Sequence, residues 1–156
     1  MYLILIFTKN KKQEMIIPIG ADHAGYQLKK EIVSFFQEKG YTFKDFGTHS
    51  EESIDYPDFG HPVAEHLKGT EGLGIVICGS GNGINMTVNK HQYVRSALCW
   101  SPEIAALARS HNNANILALP ARFLEKEEAL KIVEAFFNTP FEGGRHQRRV
   151  NKIACQ

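Results

Sequence analysis

The sequence predicts an α/β protein, a three-layer Rossmann-like sandwich around a central five-stranded, mostly parallel sheet. Three observations predict it. From Ile16 onward, short strand-like apolar runs alternate with longer stretches of helical periodicity; no segment repeats internally; and the chemistry-bearing residues fall just after the short runs. In such sheets ligands bind outside the carboxyl ends of the strands, so those ends are where a site is to be sought.

The elements follow in order. Ile16 to Gly20 is the first strand, and Pro18, lacking an N–H, must sit where the ladder can spare one. Tyr26 to Lys39 is the first helix, with Leu28, Ile32, Phe35 and Phe36 at helical spacing and Gly40 as its stop. Thr42 to Phe46 is the second strand. After a polar loop, Tyr56-Pro57-Asp58 opens a helix that runs through Leu67, and Gly72 to Cys78 is the third strand. Residues from Ile84 to Asn89 can begin a helix. Val94 to Cys99 is a strand, Pro102 to Ser110 a helix and Ile116 to Leu119 the fifth strand. Lys126 to Asn138 is an amphipathic helix that turns Leu130, Val133, Phe136 and Phe137 inward, ahead of Pro140 and a basic end.

At 156 residues the chain suits one domain, placed at residues 15–156, with residues 1–14 as an added edge strand or an extension before Met15. Eighteen basic residues against 17 acidic ones leave a net charge of +1, which argues against a dedicated nucleic-acid or membrane-surface protein. Met1 to Phe7 is apolar but far shorter than the roughly 20 residues of a membrane span. Lys9, Lys11 and Lys12 follow that run instead of preceding it, which does not suit a signal peptide. Cys78, Cys99 and Cys155 are odd in number, with no C-x-x-C pair or zinc-like grouping, so a reducing cytoplasm is expected.

The most informative stretch is Ile75-Val76-Ile77-Cys78-Gly79-Ser80-Gly81-Asn82-Gly83, which runs a strand into a thiol and three alternating glycines. Glycines there bring bare N–H groups close to an anion, and a thiol beside a helix start can have its pKa lowered from about 8.5. Two other readings fit the residues: a small core cysteine with a connecting turn, or a dinucleotide loop. Against the latter, the third glycine comes one residue early for G-x-G-x-x-G, and Glu103 looks like a first-turn helix residue. No Gly-Lys-Ser/Thr follows, as a Walker loop would require. Asp22-His23 after the first strand reads equally as a capping element, and Arg145 and Arg149, spaced i, i+4, as one face of a solvated basic tail.

Taken together, Gly20-Ala21-Asp22-His23-Ala24-Gly25, Asp55-Tyr56-Pro57, Ile77 to Gly83, Asn89-Lys90, Ser110-His111-Asn112 and Glu142 to Val150 resemble the type B ribose-5-phosphate isomerases and their sugar-phosphate isomerase relatives. The resemblance runs from about Met15 to Ile153. It implies an aldose–ketose isomerase that interconverts ribose 5-phosphate and ribulose 5-phosphate through an enediolate. Cys78 occupies the position of the base in the family's cysteine branch, and Ile84 stands where the other branch places a glutamate. The same resemblance implies that the N–H groups from Gly79 through Gly81, Asn82 and Gly83, aided by Ser80, hold the enediolate oxygens. His111 matches the ring-opening residue, Asn112 an orienting residue, and Asp22 and His23 substrate contacts. Arg122, Arg145 and Arg149 match phosphate ligands, and Tyr56 a position that lines the sugar site or packs as a buried ring.

A small-molecule sugar phosphate and a homodimer or dimer of dimers are therefore expected, with no cofactor, metal, nucleic acid or membrane as partner. His61 and His66 do not stack on one helix face, and His49, His91 and His146 supply no ligand set; Arg148 is assigned to the surface. Cys99 is read as a core residue and Cys155 as a tail residue. The alternatives are isomerisation of a six-carbon aldose phosphate, allose or galactose 6-phosphate, and a nucleotide- or RNA-binding module, for which aromatic stacking motifs are absent.

Overall fold

The computed structural model describes residues 15–155, so the expected extension over 1–14 lies outside it. Five strands, β1 (Ile16–Ala21), β2 (Thr42–Asp45), β3 (Gly74–Cys78), β4 (Ser96–Leu98) and β5 (Ile116–Pro120), form one sheet in the order β2-β1-β3-β5-β4. Every pairing is parallel. The helices are α1 (Tyr26–Glu38), α2 (Pro57–His66), α3 (Asn82–Val88), α4 (Pro102–Asn112), α5 (Lys126–Asn138) and α6 (Arg145–Val150).

Both faces of the sheet are buried, which is why its central strands read as continuous apolar runs. Ile17, Ile19, Ile75, Ile77, Leu117 and Leu119 pack in one cluster with Ile32, Phe36, Ile132, Val133 and Phe136 of α1 and α5. The alternate positions Val76, Cys78, Ile116 and Ala118 pack on the other face with Val63, Ile84 and Val88 of α2 and α3. This alternation sets Cys78 on the α2/α3 face.

Several boundaries differ from the sequence expectation, and three of the differences have a visible cause. β3 begins at Gly74 because the Gly72 N–H turns to the Thr70 hydroxyl. β4 begins at Ser96 because Val94 N–H closes a turn on His91 and Arg95 N–H is taken by the Asn115 side chain. α4 runs two residues past Ser110 because the Arg109 guanidinium binds the Asn113 side chain and the Ala114 carbonyl, while Asn113 ends the helix in a left-handed conformation at φ 48°.

Candidate active site

The chain leaves β1 toward β2 on one side and later enters β3 on the other, so a crevice opens between the carboxyl ends of β1 and β3. Asp22 and Cys78 stand there. Asp22 N–H donates to the Ile77 carbonyl (3.1 Å), and the buried Asp22 carboxylate accepts Gly25 N–H (3.1 Å). His23 Nδ1 accepts Ile54 N–H (3.2 Å), which tethers the loop before α2. A buried lysine supports this end: Lys29, 1% exposed, donates to Asp45 (2.5 Å) and to the Thr48 carbonyl (2.6 Å). Thr48 N–H in turn donates to Ala21, the last residue of β1.

The glycine loop folds over Cys78. Gly81 has φ 75°, and a Cβ on it would lie 2.4 Å from Leu98 Cδ1, so both backbone and space require glycine. Ser80 Oγ accepts from the Asn82 backbone and side chain (both 3.3 Å). Tyr56 is not a buried ring; it is 38% exposed and lies across Gly83, where a Cβ would meet Cζ at 2.4 Å. Arg122 N–H donates to the Gly79 carbonyl (3.0 Å), and its guanidinium covers Gly79.

The thiol does not follow the sequence expectation of a lowered pKa. Burial, first, pushes the Cys78 thiol up, and Asp22 adds to this; the N–H groups of Ile84, Gly81 and Gly83 act in the opposite sense and do not prevail. Cys78 is 4% exposed, so desolvation of the thiolate outweighs the amides of a seven-residue helix. Cys99, deeper still, is pushed up to about 12.

The other expected residues lie elsewhere. α4 starts at the carboxyl end of β4 and returns over about 15 Å to the amino edge of the sheet. There Arg95, just before β4, binds the Asn113 carbonyl (3.0 Å), and the Asn115 carbonyl accepts from Gly74, the first residue of β3 (2.9 Å). His111 and Asn112 therefore sit at the edge opposite Cys78. Glu142 N–H donates to the Ser110 carbonyl (3.0 Å), which brings α6 to the same place with Arg145 and Arg149, both exposed, one turn apart. Arg148 is exposed, as expected of a surface residue.

Sequence reasoning missed His146. It is buried on α6 and stacks on His111. Its signal was available, since Glu142 precedes it and Val150, also buried, follows it, each by four residues. His111, Glu142 and His146 offer ligand atoms within 4.8 Å of one another. The two rings lie within 13° of parallel, so their in-plane lone pairs run side by side and do not converge on one ion.

The comparisons agree with one another. The family described as Ribose/Galactose Isomerase matches residues 17–153. Ribose-5-phosphate isomerase B of Escherichia coli is 44% identical over 140 residues, 89% of this chain and 94% of that protein. The crystal structure of a ribose 5-phosphate isomerase from Thermotoga maritima superposes with a TM-score of 0.87 at 46% identity, covering 90% of this chain and 97% of that one. Ribose-5-phosphate isomerase B of Mycoplasma genitalium with bound ribulose-5-phosphate gives 0.84 at 44% identity, covering 88% and 93%.

Proposed function

This chain belongs to the ribose/galactose isomerase family, and on that premise we propose that it interconverts ribose 5-phosphate and ribulose 5-phosphate through an enediolate, using no metal or cofactor. One observation carries the chemistry: the Cys78 sulfur at the β1/β3 crevice, next to Asp22 and within reach of the Gly81, Gly83 and Ile84 amides.

Protonated His111 gives its proton to the furanose ring oxygen as the ring C–O bond breaks, and the C1 hydroxyl releases its proton to solvent to leave an aldehyde. The Cys78 thiolate then takes the C2 proton, and the electron pair moves through the new C1–C2 double bond onto O1. The Gly79, Gly81, Asn82 and Gly83 segment, with Ser80, holds that developing charge. A proton passes from O2 to O1, and the Cys78 thiol returns its proton to C1, which leaves the ketone at C2. Asp22, His23, Tyr56 and Asn112 hold the hydroxyls, and Arg122, Arg145 and Arg149 the phosphate. Because the reacting form is the thiolate and its pKa is raised, turnover rises with pH above neutrality.

Base and ring-opening acid lie on opposite edges of one chain, so a complete site needs a second copy. A two-fold homodimer, alone or paired as a dimer of dimers, would set each carboxyl edge against its partner's amino edge and complete two equivalent sites. Trp100 (60% exposed) and Phe123 (75% exposed), which follow β4 and β5, are apolar surface suited to such a contact. No helix among the described residues is long and apolar enough to cross a membrane, and Cys78, Cys99 and Cys155 are free, which suits a reducing cytoplasm.

The test is ribulose 5-phosphate formation by purified protein, with allose and galactose 6-phosphates compared by kcat/KM. The pentose is expected to be the best substrate; absence of turnover with it would overturn the assignment.

A further inference from the structure

The imidazoles of His111 and His146 stack with centroids 4.2 Å apart and planes within 13°. They come from different elements, the end of α4 and the first turn of α6, and Glu142 N–H bound to the Ser110 carbonyl ties those elements together. His146 is buried, whereas His111 is partly exposed.

We propose that His146 is the positioning residue of the ring-opening step: its ring fixes the plane and direction of the His111 imidazole. This rests on the assignment of ring opening to His111. A flat stack removes the tilt of the His111 ring and leaves its outward nitrogen aimed along one direction. Among the described residues this stack is the aromatic contact that His111 makes.

The surroundings suit His146 to a positioning role and not to an acid's. Burial first, then His111 from α4 and Arg145 and Arg149 from α6, disfavour a charge on His146, and only Glu142, 3.5 Å from Nε2, favours one. His146 is thus suited to hold a ring in place, while the more exposed His111 is the ring able to meet a substrate.

Substrate chemistry isolates this role. Ribose 5-phosphate closes its ring through O4 and must be opened. Ribulose 5-phosphate is acyclic, because the O5 hydroxyl that would close its ring is esterified. Exchange of its C1 proton with solvent deuterium thus reports the enediolate step without ring opening.

In the assembled enzyme, His146→Ala is expected to lower kcat for ribose 5-phosphate about 10-fold or more through misplacement of the acid. C1 exchange in ribulose 5-phosphate should stay within about twofold of wild type, and His146→Phe, which keeps a flat ring, should restore most of the lost turnover. Wild-type turnover in His146→Ala would overturn the proposal. So would an equal fall of turnover and exchange in folded His146→Ala, or a His146→Phe enzyme as impaired as the alanine variant. If His146→Ala fails to fold, His146→Phe and His146→Gln carry the comparison: the phenyl ring must outperform the amide on ribose 5-phosphate alone. Exchange that persists in Cys78→Ala would instead strike the underlying reading of the site.

Discussion

The two edges of the sheet divide the chemistry. At the carboxyl edge, strand ends and tight glycine turns hold a buried thiol, a buried carboxylate and a row of amides; at the amino edge, two helix ends hold paired imidazoles and exposed guanidiniums. The first suits proton abstraction from carbon and stabilisation of an oxyanion, where desolvation and fixed dipoles matter most. The second suits capture of a phosphate and delivery of a proton to a ring oxygen, where charge and exposure matter. On the proposed reading, the difference teaches that one chain holds two half-sites of different physical character, each completed by a second copy.

Breaking the carboxyl edge has the largest expected effect. Cys78→Ala should lower both ribose 5-phosphate turnover and C1 exchange by about 100-fold to 10,000-fold, the range for losing a catalytic base, as measured by steady-state kinetics and NMR. The loop itself is less tolerant than its length suggests. In Gly81→Ala, a left-handed residue gains a Cβ against Leu98 and the Leu119 backbone, and thermal unfolding should show a loss of about 2–4 kcal/mol.

The amino edge should respond in binding. Arg149→Gln is expected to raise KM by about 10-fold to 100-fold with kcat nearly unchanged, as loss of one charge-assisted phosphate contact would do, while Arg148→Gln leaves both as they are. A rise in KM for both variants would mean a diffuse basic surface, not a phosphate clamp.

The smallest effect sharpens the electrostatics of the thiol. Asp22 raises the Cys78 pKa, so Asp22→Asn should lower it and bring thiolate ultraviolet absorbance to a lower pH. A Cys155→Ser background removes the exposed thiol, and Cys99 stays protonated until about pH 12. The same sign governs stability: a proton held more tightly in the folded state stabilises below the unfolded pKa, and that contribution is lost as pH rises through the raised folded value.

Much of this was legible in the sequence. The β-branched run Ile75–Ile77 ending in Cys78, and Asp22 after β1, mark the carboxyl edge because strand ends and glycines are local features. The separation of the two edges was not read from the sequence: His111 falls opposite Cys78 because of where α4 ends relative to the sheet, which the fold shows and the motifs do not. The sequence does not weigh burial against amides, so the raised thiol pKa was not legible there. Lys29 falls beside Leu28 in a helix whose other lysine, Lys30, is exposed, and only packing against Asp45 and Thr48 singles it out. His146 carries an i, i+4 signal through Glu142 and Val150 that a run of basic residues masks, and its packing against α4 depends on where that helix ends, two residues beyond the local signal.

The division between the edges is tested most directly by mixing two inactive variants, Cys78→Ala and His111→Ala, under conditions that exchange subunits. Each mixed dimer would hold one site with both residues intact and one with neither, so equal mixing should restore about a quarter of wild-type ribose 5-phosphate turnover. If each chain held its own complete site, every site would keep one defect, and no recovery on mixing would contradict the account.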